Sequence, residues 1–367
     1  MKRALALLLG LTMVFSLAAC TGGGGGGDEG TKVTVFWYDE SDVFLSSVRT
    51  EMDAKLKAIE GITFDNQFAG NDQTRQLDQV RTAISGGTDV LIVNLVTSGS
   101  TDAAKEIIAA AGDLPVIFFN RAIGNEGADV DVLNANNTIC FVGTDAPEAG
   151  HMQGKMVGDY VLANYETIDL NGDGVISYAM MKGDEANVEA IARTQYGQED
   201  ADAVLTAAGK PALKYFDASN PDRYQVDQGG SWSASAAKEY MDTNFVSYNE
   251  ANGNMIELVI CNNDGMAEGV IASLQEKGYN VAGKHVVPVF GVDATDNAKA
   301  LIAEGAMTGT VKQDAEGLAA AVSGVASGIV GGKTPAEAIG ALSDSRFTVA
   351  PEVGSKLYVA YAPYTGE

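Results

Sequence analysis

The chain has 367 residues, 46% of them hydrophobic, and a formal net charge of −25 from 24 Lys and Arg against 49 Asp and Glu. So strong an acidic excess is repelled by nucleic-acid phosphates and by anionic lipid, which excludes both as binding surfaces. The length and the apolar content suffice for two packed domains.

Lys2 and Arg3 precede an apolar run at residues 4–15, which has the length of a secretory signal and is too short to span a bilayer. The run ends Leu17-Ala18-Ala19-Cys20, which resembles a bacterial lipobox. Residues 1–19 are then a signal peptide and Cys20 becomes a lipidated N-terminus, held through several acyl chains. Residues 20–31 contain six consecutive glycines and form a flexible tether of about 17–20 Å reach. Of the remaining cysteines, Cys140 and Cys261 lie in apolar, strand-like runs and read as buried thiols, with a disulfide left open.

From residue 31 strands and helices alternate. TKVTVFWY is a strand, residues 45–59 a helix with Val48, Met52 and Leu56 on one face, and residues 63–68 a second strand. A helix with Leu77, Val80 and Ile84 leads to the continuous apolar strand DVLIVNLV. Helix 102–111 and strand 115–119 follow, and Val142 closes the first half. The rhythm restarts with helices 148–163, 188–205, 233–243, 265–277 and 297–304, separated by strands 175–181, 213–216, 256–261 and 286–292. A last helix spans 314–330. Unbroken apolar strands between amphipathic helices predict an α/β fold of two similar doubly wound parallel-sheet lobes with a cleft at their carboxyl edges.

Polar residues break the apolar pattern at those edges: Asn94 within LIVNLV, Asn263 after ELVIC, and Asp293 after VPVFGV. One such residue is a turn former or helix cap. Several converging on one cleft with Arg193 make a ligand site. A separate motif, DLNGDG, places oxygen ligands at Asp169, Asn171 and Asp173, with the Val175 carbonyl and Ser177 next and Gly174 at the turn, as in a calcium loop. An EF-hand loop needs a carboxylate at its twelfth position. Met180 stands there, on a strand.

The motifs DLNGDG, VGTD, ELVICNNDGMAEG, VPVFGVDA and GTVKQDA resemble the galactose/glucose-binding proteins of ABC sugar transporters, within the ribose-binding-like class of periplasmic binding proteins. The resemblance covers everything after the tether. It implies that Glu257, one strand away, completes a structural Ca2+ site in place of Met180. It implies sugar contacts from Asp42, Phe44 and Asn94 in one lobe, from Asn187, Glu189, Arg193, Trp232, Asn263 and Asp293 in the other, and from Gln313 at a crossover. Amides, carboxylates and guanidinium pair with sugar hydroxyls, and Phe44 and Trp232 would sandwich the C–H faces of a pyranose. Asn187, Glu189 and Gln313 stand where the family has His, Asp and Asn, and Ser177 where a longer amide is usual.

The resemblance also implies type I periplasmic-binding-protein organisation. The N-terminal lobe is residues 32–143 plus 314–350 and the C-terminal lobe 144–313 plus 351–367. Three crossovers fall near 143–145, 311–314 and 351–356. The expected function is a lipid-anchored, monomeric, non-enzymatic receptor. It closes over a hexose, delivers it to an ABC permease and can serve a chemoreceptor. A receptor for a pentose or furanosyl signal, and a surface glycosidase, are the alternatives. SGIVGGKT lacks the first glycine of a phosphate loop and follows a helix, and two histidines leave little for zinc or a histidine triad.

Overall fold

The computed structural model describes residues 30–125 and 127–366. The signal segment, Cys20 and nearly all of the tether lie outside the described residues.

The first lobe opens with β1 (Thr31–Trp37), α1 (Val43–Lys57), β2 (Ile62–Phe68), α2 (Gln73–Ser85), β3 (Val90–Val93), α3 (Thr101–Ala111), β4 (Val116–Phe119), α4 (Ala128–Asn134) and β5 (Ile139–Gly143). The second contains α5 (Ala146–Ile168), β6 (Ser177–Lys182), α6 (Val188–Ala207), β7 (Lys214–Tyr215), β8 (Gln225–Val226) and α7 (Ala234–Ser247). It continues with β9 (Leu258–Cys261), α8 (Asp264–Glu276), β10 (Val289–Val292), α9 (Asp296–Ala303) and β11 (Gly309–Lys312). The chain then returns through α10 (Ala315–Val330), α11 (Pro335–Gly340), β12 (Phe347–Val349) and β13 (Lys356–Val359), and ends on β14 (Ala362–Tyr364).

The first sheet runs β12-β13-β5-β4-β3-β1-β2, parallel except for β12. The second runs β14-β11-β10-β9-β6-β7 with β8 also on β6, parallel except for β14. The inner strands VLIV, VIFF and LVIC are buried at every position because helices cover both faces. In the first lobe Val48, Met52, Leu318 and Val322 pack one face, and Leu77, Ala104, Ile107 and Leu133 the other. Cys140 and Cys261 are buried free thiols.

The topology corrects one crossover. β13 pairs in parallel with β5, with Leu357 opposite Val142, so residues 356–359 belong to the first lobe. The third crossing is at Ala360 and Tyr361, after which β14 joins β11 of the second sheet. The second crossing is likewise shorter than 311–314, because Val311 and Lys312 are strand β11.

Helices α5 and α6 lie unusually close. A Cβ on Gly150 would sit 2.5 Å from the Ala192 carbonyl oxygen, and one on Gly154 would meet the Tyr196 carbonyl oxygen and lie 2.8 Å from Asp200 Cβ. Glycine on one helix thus lets backbone touch backbone. That contact fixes α6, whose first turns carry Asn187, Glu189 and Arg193 to the cleft.

Candidate ligand-binding site between the lobes

With the lobes closed on one another the cleft keeps a cavity volume of about 40 Å3, well below the ~300–1,000 Å3 of small-ligand pockets. Its lining joins residues far apart in sequence because each follows the carboxyl end of a parallel strand or starts a helix. Asn120 follows β4, Asn263 follows β9 and Asp293 follows β10. Asp42 caps α1, Asn187 caps α6, and Trp232 precedes the cap of α7. Of the ten contacts expected from sequence, nine line this space: Asp42, Phe44, Asn187, Glu189, Arg193, Trp232, Asn263, Asp293 and Gln313.

Asn94 is the exception and is corrected here. It is fully buried, donates to the Phe119 carbonyl (3.0 Å) and the Asn120 side chain (3.4 Å), and accepts from Tyr38 N (3.4 Å). It braces the strand ends, and Asn120, one strand over with φ of 59°, faces the cleft instead. Arg121 also lines the cleft and was missed. Asn120 was readable, because it ends the apolar strand VIFF by the rule that picked out Asn263 and Asp293; no such signal marks Arg121.

At the centre, Arg193 donates from Nη2 to Glu189 Oε2 (3.2 Å), Gln313 Oε1 (3.0 Å) and the Tyr361 hydroxyl (3.0 Å), and from Nη1 to the Asn262 carbonyl (2.9 Å). Burial opposes its charge, but Tyr361, Glu189 and Asp293 outweigh that and raise its pKa. Thr144, in the first crossing, donates to Glu189 Oε1 (2.6 Å), and Tyr361, at the third, donates to Glu189 Oε2 (2.9 Å). Glu189 and Arg193 therefore tie the three crossings together, through Thr144, Gln313 and Tyr361. No sequence signal marked Tyr361.

Three residues of the lining, Arg193, Arg121 and Gln313, keep unpaired polar atoms. These are Arg193 Nε, Arg121 Nε and Gln313 Nε2, buried donors without a protein partner. The Asp293 carboxyl is pushed well up by burial first and then by the nearby Asp264 charge, with Arg193 pulling the other way. Asp293 and Ala294 both have positive φ, 124° and 55°, a strained pair that aims the carboxyl inward. Asn187 and Asn263 use their carbonyl oxygens to cap helices. Their amide NH2 groups are left to serve as donors. Phe44 is both a cleft wall and part of the first lobe's core. Trp232 has φ of 57° and lays its ring on Gly183, where a Cβ would lie 2.8 Å from indole Cε2 and closer still to Cδ2 and Cε3.

The lobes are closed on one another. Arg121 reaches Asp184 across the cleft (3.2 Å) and stacks 4.1 Å from the Tyr38 ring centre, while Asn71 Nδ2 donates to the Gly229 carbonyl (2.7 Å).

The DLNGDG loop is closed by its own hydrogen bonds. Asp169 accepts from Gly172 N (2.8 Å) and Gly174 N (3.0 Å), and Asp173 from Val175 N (3.0 Å). Glu257 reaches in from just before β9 and accepts from Asn171 N and Ser177 N, both at 2.8 Å. Burial and then the charges of Asp169 and Asp173 raise its carboxyl, with the two N–H groups opposing them. Two expected ligands point elsewhere: the Asn171 amide pairs with the Met255 backbone (2.7 and 3.0 Å) and the Ser177 hydroxyl donates to the Met255 carbonyl (3.1 Å). Among the described residues no three His, Cys, Asp or Glu side chains form a metal-binding cluster.

The periplasmic binding protein domain family matches residues 33–334. The chain belongs to that family. A curated relative, the D-galactose/methyl-galactoside binding periplasmic protein of Haemophilus influenzae, is 32% identical over 329 residues, 89% of each chain. The putative rhizopine-binding protein of Rhizobium meliloti is 27% identical over 288 residues, 78% of this chain and 79% of that protein. Among solved structures, an ABC transporter solute binding protein from Bacillus halodurans with bound myo-inositol aligns with a TM-score of 0.67 at 24% identity, over 93% of this chain and 96% of that one. That last likeness shows the two-lobed fold. No helix among the described residues is long and apolar enough to cross a membrane.

Proposed function

We propose that this family member is the sugar receptor of an ABC-type uptake system, working outside the cytoplasm and closing its lobes over a hexose. The observation that carries this reading is the cleft itself. Unpaired donors from Arg193, Arg121 and Gln313 surround a space walled by Trp232 and Phe44, the combination that a ring carrying hydroxyls on its rim and C–H groups on its faces requires. The galactoside-binding relative supports the choice of a hexose. The site binds without turnover. Both Glu189 oxygens are held by protein donors, so Glu189 is not free to act with Asp293 as a hydrolytic carboxylate pair. Calorimetric titration of glucose, galactose, ribose, xylose and myo-inositol tests the reading. Saturable binding of a hexose supports it, and a pentose or inositol bound more tightly than either hexose would replace it.

The reading includes a lipid anchor at Cys20, supported by the Leu17-Ala18-Ala19-Cys20 sequence, and Cys20→Ala is expected to move the protein from membrane to soluble fractions. It also includes a Ca2+ ion held by Asp169, Asp173, the Val175 carbonyl and Glu257. The charges of Asp169 and Asp173 on the loop, with Glu257 brought against it from just before β9, support this. Asn171 and Ser177 would join only by turning from Met255. Glu257→Gln is expected to lower the melting temperature more in calcium than in EGTA, and equal losses would remove Glu257 from an ion site.

A further inference from the structure

Tyr361 stands on the third crossing, and its ring is buried against Ala149, Val292 and Val311 of the second lobe. A phenylalanine would fill that space equally well, so packing alone does not account for the hydroxyl. The hydroxyl instead joins a cluster in which all three crossings meet. It accepts from Arg193 Nη2 (3.0 Å), donates to Glu189 Oε2 (2.9 Å) and lies 3.0 Å from the Thr144 hydroxyl of the first crossing. Thr144 takes the other Glu189 oxygen (2.6 Å), so each oxygen of that carboxylate holds one crossing. The same Arg193 Nη2 reaches Gln313 Oε1 in the second crossing (3.0 Å).

Tyr361 does not line the cleft, whereas Glu189, Arg193 and Gln313 do. Arg193 Nε and Gln313 Nε2 are buried and lack a protein partner. An acceptor on a ligand that engages either group fixes a side chain whose other end is already bonded at a crossing. The third crossing is also short. Ala360 N donates to the Arg346 carbonyl of the first lobe (2.9 Å), and β14 of the second sheet begins at Ala362. Lobe rotation is therefore absorbed by very few dihedrals, and a bond that fixes Tyr361 against α6 restrains them. We propose that Tyr361 is a positioning residue that couples occupancy of the cleft to lobe closure. It acts through Arg193 and Glu189, and its hydroxyl carries their placement to the first and third crossings. The proposal rests on the sugar-receptor reading and adds how that receptor is held closed.

The test compares the mature protein with Tyr361→Phe, Thr144→Val and the double variant, each single change removing one hydroxyl and little volume. Glucose and galactose are titrated calorimetrically. The radius of gyration is read by small-angle X-ray scattering without sugar and at saturation. The parent is expected to compact on binding. Tyr361→Phe is expected to bind about five- to tenfold more weakly, because less of the occupied protein is closed, and to keep a larger radius than the parent at saturation. The double variant is expected to lose no more affinity than the weaker of the two single variants, because both hydroxyls act through Glu189. A Tyr361→Phe radius equal to the parent's at saturation would overturn the coupling, whatever its affinity, since a merely structural loss leaves the closed form unchanged. Losses that add in the double variant, or a parent that binds without compacting, would also overturn it and leave the receptor reading standing. No binding of either sugar by the parent would overturn both.

Discussion

Gly183→Ala probes the wall of the cleft with the smallest possible change. Gly183 is buried at the end of β6, its φ is in the ordinary range, and its N–H donates to Asn262 Oδ1 at 3.2 Å, so the alanine backbone itself carries no strain. The added methyl would start 2.8 Å from Trp232 Cε2 and nearer to two other indole carbons. Carbon–carbon contact is comfortable at ~3.5–4.0 Å, so the ring must withdraw by about 1.5 Å. Part of that movement is into the ligand space, toward Arg193, whose guanidinium carbon lies 5.7 Å from the ring centre. Overpacking of this kind costs about 1–3 kcal/mol. If most of it falls on the bound state, affinity drops by roughly 10- to 100-fold. The assay pairs calorimetric titration with thermal unfolding of the unliganded protein. The expected result is weaker binding with a melting temperature close to that of the parent. Unchanged affinity would refute the placement of the indole face against the ligand.

Gly154→Leu forces side chain between α5 and α6 where the neighbour is the Tyr196 backbone, and is expected to lower both stability, by about 1–3 kcal/mol, and ligand affinity, read by denaturant unfolding and titration. Asp264 is buried behind Asp293, and burial pushes its carboxyl up to about 7 despite hydrogen bonds from Thr310 (2.7 Å) and Thr295 N (2.8 Å). Since its folded pKa lies above the unfolded one, the unfolded chain gives up this proton first. This group's contribution to stability therefore falls as pH rises from about 4 to about 7. Asp264→Asn should flatten that part of the melting-temperature profile, and an unchanged slope would contradict the assignment. Asp184→Asn removes the partner of Arg121 across the cleft. It is expected to speed ligand release several-fold in stopped-flow measurements, with little effect on melting of the unliganded protein.

The lobes and their sheets were readable because parallel strands buried on both faces leave unbroken apolar runs, and VLIV, VIFF and LVIC are such runs. The edges were not. β14 has three residues including Pro363, and β13 follows a stretch with no apolar period, so the third crossing was placed several residues early. α4 has seven residues and begins after a left-handed Gly127, too short for a helical period to show. In the site, residues that end a strand carried their own local signal, and Asn263 and Asp293 were found that way, whereas Asp42 and Asn187, which cap helices, came from the family resemblance. Asn94 and Asn120 carry the same signal on neighbouring strands, and only the register that pairs Val93 with Phe118 decides which faces the cleft. Tyr361 and Thr144 act through Glu189, a contact between residues 172 and 45 positions apart that no local pattern encodes.

The central claim is that a sugar binds between the lobes against Trp232. With Trp37 replaced by Phe, Trp232 is the chain's only tryptophan, since the sequence has two. Trp37 is fully buried in the first lobe's core, away from the cleft. Titrating this variant with hexoses, pentoses and inositols while recording its fluorescence tests the claim directly. The account predicts a saturable change in intensity or wavelength with a hexose or its glycoside. A flat signal across the whole panel would contradict it.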